Sequence, residues 1–127
     1  MAERLVATKI GPGELADTDS APGIKREEAF AKPGLWAGRS TTEPGVTSGW
    51  HHHGEADTIV YVLSGTVVIE FGEDRVEAGE GEFLMIPGGL VHRESTPAEG
   101  PSRSVVIRTG GEGPPTYEVD GPDGRSA

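Results

Sequence analysis

No cysteine occurs anywhere in the chain, which removes disulfides and thiolate chemistry at once. No apolar run approaches the length needed to cross a bilayer. Met1 to Ile10 has neither a long apolar stretch nor a small-residue cleavage pattern, so neither signal peptide nor membrane span is expected and a cytoplasmic location follows by default. Positive charge is scarce: 11 Lys and Arg against 21 Asp and Glu, a formal net charge of −10. That balance argues against nucleic acid or an anionic membrane as partner and fits a solvated acidic surface. Apolar residues make up only 34% of the 127. One domain of this size can bury a usable core but leaves no room for a second catalytic domain. A barrel or sandwich needs little apolar content, because half of each strand can face water.

What the chain does have is punctuation. Twenty glycines and ten prolines are scattered among valine-rich runs, the pattern of many short strands joined by tight turns. Arg4 to Ile10 reads as an opening strand and Gly11 to Gly23 as loop. Ile24 to Ala31 reads either as a short helical turn or as extended chain. Leu35 to Thr42 is a strand, and Pro44-Gly45 a turn. Thr58 to Leu63 and Thr66 to Phe71 are strands, with Ser64-Gly65 read as a hairpin turn between them. Val67, Ile69 and Phe71 share one face. Gly72 to Asp74 turns into Arg75-Val76-Glu77, and Gly79 and Gly81 bracket the turn into Phe83 to Ile86. Pro87-Gly88-Gly89 leads to Leu90-Val91-His92. Ser104 to Thr109 is the last clear strand, and Thr116 to Val119 is an edge strand in a loose end from Gly110. Strands this short must close into a sandwich or barrel to cover their edges. The division expected is an arm over 1–34, a barrel over 35–112 and a tail over 113–127.

Thr58 to Leu63 is apolar on both faces, Thr58, Val60 and Val62 on one and Ile59, Tyr61 and Leu63 on the other. A strand of this kind is covered on both sides. One face looks into the barrel; the other meets a second sheet, the N-terminal segment or another subunit. A homodimer is the expectation, with the segment near Leu5 to Ile10 crossing to the partner.

All four histidines fall in two places, His51-His52-His53 and His92. Side chains alternate on an extended segment, so His51 and His53 share a face and His52 points away. Two imidazoles so placed, with His92 from another strand, can hold one divalent transition metal. The residue type leaves Fe, Zn, Ni, Mn, Co and Cu open.

The spacing resembles the cupin superfamily. Its first motif, G-x5-H-x-H-x(3,4)-E-x6-G, is met by Gly45, His51, His53 and Gly65. Its second, G-x5-P-x-G-x2-H-x3-N, is met by Gly81, Pro87, Gly89 and His92. The resemblance implies an all-β fold, an antiparallel jelly-roll barrel (a double-stranded β-helix, RmlC-like), with the metal on His51, His53 and His92. Two positions depart from the motifs. Thr58 stands where the family has a glutamate ligand, and Thr96 where it has an asparagine. Glu55 and Asp57 lie nearby but out of register, and read as solvent-facing loop carboxylates. Three neutral imidazoles leave a divalent ion its full charge, which favours an anionic ligand, and they leave an open coordination position.

The function expected is therefore a metal-binding domain that takes a small organic anion inside its barrel. The resemblance admits two other readings: a three-histidine iron dioxygenase or metal-assisted polyketide cyclase or isomerase, and a non-catalytic sensing or structural barrel. Glu94 faces the same way as His92 if the alternation continues, which makes it an acid–base candidate, although an ion-paired carboxylate is the plainer reading. Trp36, Arg39, Trp50, Thr58, Phe83, Met85 and Thr96 are candidates for the pocket wall. Arg108 could meet a ligand carboxylate if it points inward, but an outward-facing arginine is expected in an acidic protein.

Overall fold

The computed structural model describes residues 4–18, 21–111 and 116–122. Eleven strands are present among them: β1 (Ala16–Asp17), β2 (Ile24–Lys32), β3 (Leu35–Thr42), β4 (His51–His52), β5 (Asp57–Ser64), β6 (Thr66–Phe71), β7 (Asp74–Gly79), β8 (Phe83–Ile86), β9 (Arg93–Ser95), β10 (Ser102–Thr109) and β11 (Tyr117–Glu118). A six-stranded antiparallel sheet runs β1-β2-β3-β10-β5-β8, and a three-stranded one β7-β6-β9. The short pair β11-β4 extends the second layer, because Thr47 bridges Ser95 and His51 bridges His92. Neighbours in a sheet that are distant in sequence are the mark of a jelly roll, and this all-β, antiparallel chain is one.

The alternation read in β5 holds. Thr58, Val60 and Val62 are buried, while Ile59 and Tyr61 are half-buried and Leu63 is exposed. The apolar core joins Val60 and Val62 to Val67 and Ile69 on β6, Ala78 on β7, and Leu84 and Ile86 on β8. A core of small and branched side chains between two sheets explains how so little apolar content suffices.

Three local expectations change, and the open choice at Ile24 to Ala31 is resolved. Residues 4–10 form no strand, and Leu5 is 92% exposed; a lone apolar segment without a pairing edge has nothing to gain from strand geometry. The Gly11 to Gly23 loop holds a 3-10 turn at Pro12–Glu14 and the two residues of β1, which pair with β2. Ile24 to Ala31 is extended, with a register shift between Glu28 and Phe30 against β3. Ser64-Gly65 is no hairpin: β5 pairs with β10 and β8, whereas β6 pairs with β7 and β9. The chain crosses there from one sheet to the other. Gly65 has φ 78°, and a Cβ on it would stand 2.3 Å from the Pro101 carbonyl oxygen, so the crossing requires glycine.

Candidate metal centre

The centre begins with a backbone pairing. His51 and His92 exchange both amide-to-carbonyl hydrogen bonds, at 2.9 and 2.8 Å. Residues opposite each other in this way carry side chains on the same face. His53, two residues on, returns to that face, and the potential ligand nitrogens of His51, His53 and His92 all lie within 4.8 Å of one another. His52 points the other way and stacks on Tyr117, its ring centroid 4.8 Å away and nearly parallel.

All three clustered imidazoles are buried. Nδ1 of His51 donates to the Gly49 carbonyl at 2.7 Å, and Nδ1 of His92 to the Leu90 carbonyl at 2.9 Å. Each bond fixes the tautomer and leaves the Nε2 lone pair free, as a metal ligand requires. Burial lowers the pKa of His51 and pushes that of His92 down to about 4, so both are neutral donors near pH 7. The donor set fits one divalent transition metal with positions to spare.

Beside the cluster lies a cavity of about 550 Å³, lined in part by Trp36, His53, Glu55, Ala56, Arg108 and Tyr117. His53 is the histidine that lines it; His51 and His92 do not. Arg108 enters from β10. It is buried, and its guanidinium carbon sits 5.2 Å from the Trp36 ring centroid. Burial, then the charge of Arg26, lowers its pKa to about 10, so it is still a cation near neutrality.

A model of the cupin domain matches residues 38–108, more than half of the chain. The chain belongs to the cupin family. Among solved structures, this cupin is similar to KdgF from a Halomonas species, at TM-score 0.72 and 21% identity over 84% of this chain and 96% of that one. It is similar also to the polyketide cyclase RemF from Streptomyces resistomycificus, at TM-score 0.74 and 19% identity, covering 90% and 86%. Likeness at such identities concerns the fold. Over 45 residues it is 38% identical to the uncharacterised protein YdbB of Bacillus subtilis, a stretch that spans 35% of this cupin and only 40% of that relative.

The pocket candidates separate sharply. Trp36 lines the cavity, and Thr58 faces inward at 2% exposure, opposite Arg108 in the β5–β10 ladder. Phe83 and Met85 do not belong to the wall: they are 71% and 59% exposed on the outer face of β8, while Leu84 and Ile86 point in. Both faces of that strand are apolar, so its alternation carried no sign of which was inside. Arg39 is also on the outer face, bonded to Glu27. Trp50 is not a cavity residue either; it lies under the Arg93 guanidinium, 4.7 Å from carbon to centroid. Thr96 is buried but bonded to the Ser102 hydroxyl. Ser102 and Arg108 are at opposite ends of β10, roughly 20 Å apart at strand rise, so Thr96 is remote from the cavity.

No carboxylate joins the histidine group among the described residues. Glu55 is exposed, and Asp57 accepts the Gly88 amide at 2.8 Å. Glu94 is ion-paired with Arg26, the plainer of its two readings. The expectation that Arg108 faces outward is corrected: its neighbours two and four residues back, Val106 and Ser104, are buried with it on the inner face. Arg26 and Tyr117 carry no sequence signal of their own, since each meets the site from a distant part of the chain.

Proposed function

We propose that this cupin holds one divalent transition metal (Fe, Zn, Ni, Mn or Co) on His51, His53 and His92, and takes a small organic anion into the adjoining cavity. The observation that carries the reading is the pairing of each of two buried Nδ1 atoms with a carbonyl, which turns the remaining nitrogens toward one point. A bound ion would act there as a Lewis acid with open positions for oxygen ligands. The chain's own part is to keep the imidazoles neutral, to exclude bulk water with Val60, Ile86 and their neighbours, and to hold a cation, Arg108, at the cavity wall.

Binding without turnover is favoured over proton-transfer chemistry, because Glu94, the carboxylate whose charge acts on His51 and His92, is occupied by Arg26. The second reading is an enzyme, an iron dioxygenase or a metal-assisted cyclase or isomerase. It is supported by the open positions that three donors leave. Cobalt-loaded protein tests the first reading: small carboxylates should change its visible spectrum while neutral analogues of equal size do not. Oxygen uptake by iron-loaded protein over dicarbonyl, thiol and phenolic compounds tests the second.

The proposal includes a homodimer. The outer face of the large sheet presents Phe83, Met85 and Leu63 to solvent, and the arm presents Leu5 and Val6; a second copy would cover both.

A further inference from the structure

The interior holds a cation with no ion-pair partner among the described residues. Arg108 is 8% exposed and forms no ion pair among the described residues. Glu94, the carboxylate whose charge reaches it, is bonded to Arg26. Burying an unpaired guanidinium is costly, and such groups are kept where a counter-ion arrives. Two buried polar atoms have no hydrogen-bond partner among the described residues: Nε of Arg108 and Oγ1 of Thr58. The two residues are register partners on β10 and β5 and face the same way, into the barrel. Arg108 lines the cavity that His53 also lines.

The geometry points to a carboxylate clamp: Arg108 and Thr58 hold the carboxylate of a small oxo- or hydroxy-acid, with its second oxygen left toward the three histidines. Thr58 occupies the position where the motif has a glutamate. The exchange removes a negative charge from beside Arg108 and supplies a neutral donor in its place. A glutamate there would pair with the guanidinium or the metal and close the site to anions. Two donors from facing positions on neighbouring strands suit a planar carboxylate. A tetrahedral phosphate, with more oxygens to satisfy, would be left short of partners. Trp36 stacks on the guanidinium and presents an apolar wall, which holds its plane and leaves its edge for the ligand. Gly38 makes room for that wall: a Cβ on it would stand 2.5 Å from the Trp36 ring.

This inference rests on the proposed metal reading for the second oxygen, but not for the clamp. The test uses the full chain as wild type, Arg108→Met and Thr58→Val, each with and without cobalt. The probes are pyruvate, glycolate, acetate, methyl pyruvate and inorganic phosphate. On cobalt-loaded protein, Arg108→Met should weaken pyruvate binding by about 30-fold, and Thr58→Val by about 5-fold. Methyl pyruvate, which lacks the charge, should bind both variants as it binds wild type. Cobalt affinity should be unchanged or tighter in Arg108→Met, because a like charge is gone; this separates the clamp from the metal site. Arg108→Met should also fold, since it removes a buried charge and keeps the volume. If wild type takes no cobalt, the metal reading fails, and the apoprotein decides the clamp: carboxylates should raise its melting temperature only while Arg108 is present. Carboxylate binding independent of Arg108, or absent from wild type altogether, overturns the clamp. Phosphate binding tighter than that of all three carboxylates overturns the assignment of ligand class.

Discussion

Between β5 and β8 on one side and β6 and β7 on the other, the barrel buries Val60, Val62, Val67, Ile69, Ala78, Leu84 and Ile86. Elsewhere in the same interior it buries His51, His53, His92, Thr58 and Arg108. Burial is equally deep in both regions, and its meaning differs. In the first, each side chain gains by leaving water and packing against its neighbours. In the second, among the described residues, two atoms lack hydrogen-bond partners and one cation lacks a counter-charge, and burial lowers the pKa of two imidazoles. The apolar region stabilises the fold; the polar region draws on that stability, and under the proposed function a metal ion and an organic anion would satisfy it. β5 joins the two, with Val60 and Val62 in one and Thr58 in the other.

Truncation should separate the regions most strongly. Ile69→Ala should lower the unfolding free energy by about 3 kcal/mol, the cost of a cavity in a packed core. Thr58→Val, equally buried, should leave the metal-free protein unchanged or about 1 kcal/mol more stable, because it removes a hydroxyl without a partner. Urea unfolding of both variants is the check, and a comparable loss in each would erase the distinction.

Acid should act on the polar region and spare the apolar one. Burial holds the folded-state pKa of His92 at about 4, below the ordinary 6.5 of an unfolded chain, so the unfolded state binds the proton first. Stability of the metal-free protein is therefore full above about pH 6.5 and falls as pH drops toward 4, by up to about 3 kcal/mol from His92. His51, also lowered by burial, adds in the same direction. Unfolding curves across that window should show the loss, and His92→Phe should reduce it. Bound metal should leave over the same range, because protons and metal compete for the same lone pairs.

Thr58→Glu should turn the polar region against itself. A carboxylate facing the histidines adds an anion to a set of neutral donors, so metal should bind about tenfold more tightly. Without metal, the buried carboxylate should cost about 1 kcal/mol even after partial pairing with Arg108. Metal titration and unfolding measured together check both signs; no change in either would place Thr58 out of reach of the metal.

The smallest effect on the fold should come from the outer face. Phe83→Ser and Met85→Ser should change monomer stability by less than about 0.5 kcal/mol, as exposed positions do. If the homodimer forms through that face, light scattering at micromolar concentration should give twice the chain mass for wild type and less for the double variant. A monomer mass for wild type removes the dimer.

The line between the two regions also marks what could be read from the sequence. β3, β5, β6, β8 and β10 are legible because alternation and Gly or Pro boundaries are local, and the histidine cluster is legible because motif spacing in two segments is specific. Which face of an apolar strand is inside is a tertiary fact. Phe83 and Met85 were as apolar as Leu84 and Ile86, so their phase could not be told. The charge of Arg108 favours an outward position, and only its pairing with Thr58 and Trp36 turns it in. The pairing of Arg26 with Glu94 joins residues 68 apart, beyond any local pattern. Ser64-Gly65 resembles a hairpin in sequence because turn chemistry at a crossover and at a hairpin is the same.

The metal centre requires the histidines to act as a set. Metal content per chain, measured after exposure to divalent ions and removal of excess at pH 7.5, should be about one for wild type and for His52→Ala, whose side chain lies against Tyr117. In His51→Ala and His92→Ala it should fall to about a tenth of that or less. Equal loss in all three variants, or a wild-type chain that retains no metal, would contradict the three-histidine centre.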